Sequence, residues 1–376
     1  MRGILVAGHL ALDYTPELSG FARLLGGPEF AGRQLNSGAP RPQDYFGQME
    51  AGKLYSTGGL AVTVGGCVSN VGRALAHFGA PSRLVARVGD DCHADLVQTQ
   101  LSAAGLELRL RRGAQLRTST SLVLNLPGCD RIFWHDAGAN VHFTGADLEG
   151  EDFAWAQLFH FGYPPLLPYF YRNPEALAEL FARAQAAGCR CSLDLVAMDE
   201  GQEAARADWP RILAKALPYV DYFVPSFEEL AALLLPEHYR ELRHKARGGD
   251  VCALLDWEED VYPLAHKALD LGCKELLLKC GLKGLCLCRR EADGSIFCQC
   301  QEAIPARRLV SASGAGDTAI AAFLLATVQG LSTEFRLGLA ALAGSHAVES
   351  ADSLAEMPSW EGLQAEWTAC SCGGRS

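Results

Sequence analysis

The residues best suited to chemistry lie in Ser311–Ile320, SASGAGDTAI, which runs directly into the apolar segment AAFLLATVQG. Gly314, Ala315 and Gly316 have almost no side chain, and they precede a carboxylate, Asp317, at the expected start of a helix. The first turn of a helix offers unpaired N–H groups and the positive end of the dipole, so an anion binds there if the backbone is accessible. The small residues give that access. A carboxylate next to a bound anion is unfavourable unless it takes part in the reaction. Phosphoryl transfer needs both parts: donors for the negative oxygens and a base for the proton of the attacking hydroxyl. Taken alone, the stretch fits equally well a glycine-rich turn with Asp317 as an ordinary first-turn charge.

Three further segments carry polar or small residues in a suggestive order. Gly8 to Asp13 follows the first apolar run, Gly65-Gly66-Cys67-Val68-Ser69-Asn70 introduces the segment VGRALAHFG, and Gly138-Ala139-Asn140 follows a strand-rich region. Asp accepts hydrogen bonds, Asn donates and accepts, and Gly lets a ring approach the backbone, so these types suit a polyhydroxylated ligand. Singly, Asp13 and Asn140 also read as turn residues. In this order the segments resemble the PfkB, or ribokinase-like, family of carbohydrate kinases, from Gly3 to about Pro358. The most specific parts are GGCVSN and GAGD, each with the helix that follows it.

That resemblance implies a phosphotransferase that uses ATP and Mg2+ to phosphorylate a hydroxymethyl group of a sugar or sugar-like alcohol. On it, Asp317 is the general base, and the loop Gly314, Ala315, Gly316 and Asp317 is the anion hole. Asp13, Gly65, Gly66, Asn70 and Asn140 fall on substrate-contacting positions. The segment LLLKCGLKG resembles the family's strand and Gly-x-x-Gly turn, which implies nucleotide contacts at Lys279, Gly281 and Gly284 together with Gly314 and Gly316. Ser226 and Glu229 stand where the family has Asn-x-x-Glu, a motif tied to nucleotide phosphates and metal, with Glu229 behind the metal. The same two residues form a capping box for the helical segment EELAALLL. Ser311-Ala312 replaces a family Asp-Thr whose aspartate helps hold a monovalent cation, which argues against potassium activation. Lys279 stands where threonine is frequent, and Ala319 where phenylalanine is common. These departures keep open a nucleoside or vitamin kinase of the same fold, or a noncatalytic sugar or nucleotide sensor. Cys67 and Val68 match neither ribokinases nor fructokinases, so the acceptor also stays open.

The elements that must position these residues follow an alternating pattern. Strand candidates are Ile4–Val6, Arg83–Val88, Thr120–Leu126, Leu158–Phe161, Cys191–Leu195, Tyr222–Val224, Glu275–Leu278 and Gly284–Cys288, with helical segments between them. This predicts a three-layer αβα sandwich, Rossmann-like, around a mostly parallel sheet. Asn173 and Pro174 start one helix and Gly188 ends it; Ser69 or Asn70 starts another and Gly79 ends it. The Gly- and Pro-rich stretch 14–64 is too long for a connector, so a small β lid is expected from parts of 14–64 and 107–137. Residues 236–262 are a second, charged insertion. One kinase domain over 1–360 and a frayed tail over 361–376 complete the expectation.

Composition sets the outer bounds. With 376 residues, 49% hydrophobic and 20% charged, the chain has enough apolar content for a large core. A net charge of −11 argues against nucleic acid or an anionic membrane as partner. The basic cluster Arg240, Arg243, His244, Lys245 and Arg247 reads as a solvated helix face. No apolar run approaches the roughly 18 residues of a membrane span, and ILVAGHLAL, which contains His9 and leads to Asp13, reads as a buried strand rather than a signal peptide. A cytoplasmic location follows as the expectation, with all 14 cysteines as thiols. Cys-x-Cys pairs occur at Cys189/Cys191, Cys286/Cys288, Cys298/Cys300 and Cys370/Cys372. The middle two flank a turn signal, so they should face each other across a hairpin as packing residues rather than bind zinc. The resemblance also implies a homodimer paired through the lid.

Overall fold

A computed structural model describes residues 2–18, 46, 49–126 and 131–373. Most of the Gly- and Pro-rich stretch 14–64 therefore lies outside the described residues. The strands in chain order are β1 (Gly3–Gly8), β2 (Ala11–Pro16), β3 (Leu60–Gly65), β4 (Ser82–Gly89), β5 (Glu107–Gly113), β6 (Thr120–Leu124), β7 (Ile132–Asp136), β8 (Ala156–Gly162), β9 (Arg190–Asp194), β10 (Tyr222–Phe223), β11 (Glu275–Lys279), β12 (Gly284–Arg290) and β13 (Ile296–Glu302). Nine form one sheet in the order β13-β12-β11-β10-β9-β8-β1-β4-β5. It is parallel from β5 to β11 and antiparallel where β12 and β13 add the far edge. The other four form a smaller sheet, β3-β2-β6-β7.

Side chains that alternate along a strand separate the two core layers. Ile4 and Val6 of β1 face one cluster and Leu5 and Ala7 the other; Leu277 of β11 faces the first, Leu276 and Leu278 the second. The first layer is closed by the helices Gly66–His77, Cys92–Ala103, Ala315–Val328 and Thr333–Ala347. Ala176–Ala186, Trp209–Ala216, Phe227–Leu234 and Tyr262–Asp270 are among the helices closing the second. The result is the predicted three-layer sandwich.

Several local expectations are corrected. The helix after Gly65 begins at Gly66, ahead of Ser69 and Asn70, because Gly65 is extended and serves as its N-cap. The helix assigned to Asn173 and Pro174 starts at Ala176, after a turn over Pro174 and Glu175. Within 107–137, the part that joins the smaller sheet is β6 and β7, while β5 pairs with β4 at an edge of the large one. Its arginines can stay solvated there, as charges on an edge strand do, and Arg111 reaches Asp152 and Glu149. Residues 360–373 form a helix rather than a frayed tail, since Leu363 and Trp367 are buried in the core. The basic cluster on the helix Pro236–Ala246 is exposed, with Leu242 buried as its anchor.

The hairpin reading of the middle cysteines holds, with Cys286 opposite Cys300 and Cys288 opposite Cys298. The expectation of thiols throughout is corrected at one pair: Cys288 and Cys298, which the register sets directly opposite each other with Cα atoms 4.2 Å apart, form a disulfide. Among the described residues, no helix is long and apolar enough to cross a membrane.

Candidate active site

The large sheet changes direction of chain progression at β1, which has β4 on one side and β8 on the other. Open α/β sheets bind ligands beyond the carboxyl ends of the strands at such a point. Here the strand ends bring His9, Tyr163, Asp194 and Lys279 toward the N-terminus of the helix Ala315–Val328. The smaller sheet contributes Asp13 and Ser121.

Gly314 precedes that helix in the left-handed region, φ 73°, a conformation that only glycine adopts cheaply. The chain turns there so that Gly316 and Asp317 present first-turn N–H groups that have no helical partner. Ala315 differs from the expectation, because its N–H turns back toward the Ala312 carbonyl at 3.4 Å. Asp317 is buried, at 4% exposure, and three contacts hold its carboxylate. Asn70 Nδ2 donates to Oδ2 at 2.8 Å, and the Tyr163 hydroxyl donates to Oδ1 and Oδ2 at 3.0 and 3.1 Å. Burial pushes Asp317 above the usual carboxylate range, opposed by the Asn70 bond, the Lys279 charge and the Tyr163 bond.

Lys279 borders the same loop. Its Nζ lies 2.8 Å from Asp194 Oδ1 and 3.8 Å from where a Cβ on Gly316 would stand. Burial lowers the Lys279 pKa, but Asp194, then Glu229 and Asp317, outweigh it and hold the ammonium charged. Burial raises Asp194, against the pull of Lys279 and with the help of the Glu229 and Asp317 charges. The carboxyl groups of Asp194, Glu229 and Asp317 thus crowd one ammonium, and burial together with their repulsion pushes Asp194 up to about 8, a strain that a bound divalent cation would relieve.

Ser226 and Glu229 make the capping box in full: Ser226 Oγ accepts from Glu229 N at 3.2 Å, and Glu229 Oε2 accepts from Ser226 N at 2.7 Å. Ser226 also bridges to Lys279. Beyond β11, Gly281–Lys283 form a tight turn closed by Cys280 N donating to the Gly284 carbonyl at 2.8 Å.

On the other side, Asp13 packs against Gly65 so closely that any Cβ there would collide with its carboxylate. Gly66, at φ 82°, leaves room for the His9 carbonyl and ring. Burial raises Asp13 to about 6 despite a hydrogen bond from Ser121. Ser121 Oγ in turn lies 3.1 Å from His135 Nδ1. The His9 ring sits between the sheets, 5.2 Å from His135 and 6.1 Å from Tyr163, centroid to centroid, and both its nitrogens are buried without partners. Burial lowers His9 to about 3, so the ring is neutral, with one donor and one acceptor unused. Asn140 is fully buried, and its Nδ2 donates to the Leu10 carbonyl at 2.9 Å while Oδ1 has no partner.

The sequence-derived residues therefore fall into two groups. Asn70, Lys279, Gly314, Gly316 and Asp317 converge on one carboxylate and loop, and Asp13, Gly65 and Gly66 line the junction of the two sheets. Asn140 spends its amide nitrogen on the backbone, and Glu229 spends one oxygen on its own helix. No motif marks Tyr163, Asp194 or His9. Their signals were a Tyr at the end of a strand before Pro164-Pro165, an Asp inside an apolar strand, and a His directly after Gly8.

Comparison with known proteins bears on the fold and the family. A curated ribokinase of Arabidopsis thaliana is 39% identical over 100 residues, 27% of this chain and only 25% of that protein's length. The structure of Arabidopsis thaliana ribokinase complexed with ribose and ATP superposes with a TM-score of 0.70 at 22% identity, covering 98% of this chain and 99% of that one. An E. coli protein in complex with ATP and Mg2+ superposes with a TM-score of 0.66 at 16% identity, covering 98% and 100%. These superpositions establish a ribokinase-like fold. The pfkB family carbohydrate kinase model matches residues 48–360, most of the sequence, so the chain belongs to the pfkB family of carbohydrate kinases.

Proposed function

We propose that this protein transfers the γ-phosphoryl group of ATP to a hydroxymethyl group of a sugar or sugar-like alcohol. The observation that carries the reading is the placement of Asp317: buried, fixed by Asn70 and Tyr163, and standing over the unpaired N–H groups of its own helix. The acceptor hydroxyl gives its proton to Asp317 as its oxygen attacks the γ-phosphorus. The N–H groups of Gly316 and Asp317 take up the charge that develops on the phosphoryl oxygens.

Lys279 is the fixed cation of this arrangement, next to the loop and already desolvated. Asp194, with Glu229 behind it, would hold Mg2+, which when bound neutralises phosphate charge and orients it. The turn Gly281–Gly284 lies beyond the end of β11, where ATP runs along the strand ends. Asp13, with His9 and the Gly65-Gly66 backbone, binds the acceptor's other hydroxyls. The smaller sheet acts as a lid whose closure excludes water, so that the bound alcohol and not water receives the phosphoryl group.

The trio of His9, His135 and Tyr163 rings gives one reason to test a flat acceptor, such as a nucleoside, beside the sugars. ADP release from magnesium-ATP across sugars, sugar acids, nucleosides and vitamin alcohols tests the proposal. A signal from one acceptor class, with a phosphorylated product, supports it. ATP binding without product for any acceptor would favour a sensor.

A further inference from the structure

The cysteines of the β12–β13 hairpin have no part in the chemistry above. Opposed residues of an antiparallel ladder alternate between a wide, hydrogen-bonded class and a close class with Cα atoms about 4.5 Å apart. The 4.2 Å separation of Cys288 and Cys298 puts that pair in the close class. Cys286 and Cys300 lie two residues along the same register and so belong to that class too, with Leu287 and Gln299 between them. All four side chains share one face. Cys286 and Cys300 are free, with Sγ atoms 3.0 Å apart, and Cys300 is partly exposed where a reagent can reach it. The sulfurs of Cys286, Cys288 and Cys298 lie within 4.8 Å of one another. With Cys288 and Cys298 joined, too few thiolates are left for a metal, which favours covalent pairing of the other two.

This pair also lies near the turn assigned to the nucleotide. Gly284 opens β12 and stands opposite Glu302, two residues along the ladder from Cys286–Cys300, with the Leu285–Gln301 pair between them. Glu302 Oε1 accepts from Trp257 Nε1 at 2.9 Å, and the Lys283 ammonium of the turn lies 5.0 Å from the centre of the Trp257 ring.

We propose that Cys286 and Cys300 form a second, reversible disulfide that clamps the hairpin at the end carrying the Gly281–Gly284 turn. Its effect on catalysis rests on the nucleotide reading of that turn. The oxidant is a low-molecular-weight disulfide. The Cys300 thiolate attacks one of its sulfurs and releases one thiolate, leaving a mixed disulfide. Cys286, losing its proton, then attacks Cys300 Sγ and expels the second thiolate. The two protein thiols lose two electrons and two protons, and the reagent becomes two thiols.

The test uses the full chain equilibrated in reduced or oxidised glutathione, alkylated, digested with trypsin without reduction and analysed by mass spectrometry. In oxidised buffer the peptide Gly284–Arg289 should be linked to the β13 peptide by two bonds instead of one, with no alkylated Cys286 or Cys300, and reductant should reverse this. The KM for ATP should change by about fivefold or more, the lower range of an ordinary coupling, while the KM for the acceptor holds. Cys300→Ser should abolish the response. Persistent alkylation of Cys286 and Cys300 in oxidised buffer, or an equivalent of zinc protecting them in reduced buffer, would overturn the proposal, as would an unchanged KM for ATP once the bond has formed. A mapped second bond in a protein that phosphorylates no acceptor would support the disulfide and count against the kinase reading alone.

Discussion

The Tyr163 hydroxyl donates to both carboxylate oxygens of Asp317, at 3.0 and 3.1 Å, from a residue held in the left-handed backbone region at φ 64°. A non-glycine residue in that region costs energy, and such costs persist where the surroundings fix the side chain for a purpose. Here that purpose is to orient the proposed base. Tyr163→Phe keeps the ring and removes the hydrogen bond, which lowers the Asp317 pKa. The variant should therefore lose about tenfold in kcat, the scale of one hydrogen bond to a charged group. The acid limb of its kcat profile should move to higher pH. A lower kcat with an unmoved limb would show that the hydroxyl acts on something other than Asp317.

A second pH dependence belongs to the acceptor side. Only the ionised Asp13 accepts hydrogen bonds through both oxygens with full charge, and burial raises its pKa to about 6. As pH falls through that value the carboxylate is protonated, so the KM for the acceptor should rise while the KM for ATP stays flat. Asp13→Asn should remove the limb and start from a higher KM. Initial rates over a pH series at varied acceptor concentration measure this.

Lys279 and Asp194 should separate stability from catalysis. Lys279→Met leaves Asp194 buried without its partner, and breaking a buried pair costs about 3–5 kcal/mol, visible as a lower urea midpoint. The double variant with Asp194→Asn should recover much of the stability. Neither variant should recover turnover, because both lack the fixed cation beside Gly316. A double variant with restored turnover would confine Lys279 to a structural role.

The capping box joins Ser226 and Glu229, and only Glu229 is proposed to act on magnesium. Ser226→Ala removes a helix cap and should cost about 1 kcal/mol of stability with little change in the magnesium requirement. Glu229→Gln should raise the magnesium concentration needed for half-maximal rate. Thermal melts and a magnesium titration on both variants check this.

How far the site is legible in the sequence depends on how local it is. The Gly314–Asp317 loop is a helix terminus, and its small residues, carboxylate and apolar run are contiguous, so its chemistry can be read in place. Likewise the turn signal between Cys288 and Cys298 was enough to predict opposed cysteines, because a hairpin register is local. Tyr163 is 154 residues from the carboxylate it holds, and Lys279 is 85 from Asp194. These pairs meet only because the sheet order places β8, β9 and β11 along one edge of the site, and no local pattern encodes that. Which parts of 107–137 form the lid is not legible locally, because β5, with arginine at 109 and 111, reads equally well as a lid strand or as an edge strand of the large sheet. The helix Trp360–Gly373 was hidden by its polar, glycine-ended sequence; its burial rests on Trp367, which packs against Gly338. Trp367→Ala should therefore cost about 3–5 kcal/mol, a loss that a frayed tail could not produce.

Asp317 is the proposed base for phosphoryl transfer to a bound alcohol. The most direct measurement is the turnover of Asp317→Asn on the best acceptor, with ATP affinity determined in parallel by calorimetry. The kcat should fall by about 10²- to 10⁴-fold, the range for a lost general base, with ATP affinity close to that of the unaltered protein. An Asp317→Asn protein that turns over at the original rate would contradict it.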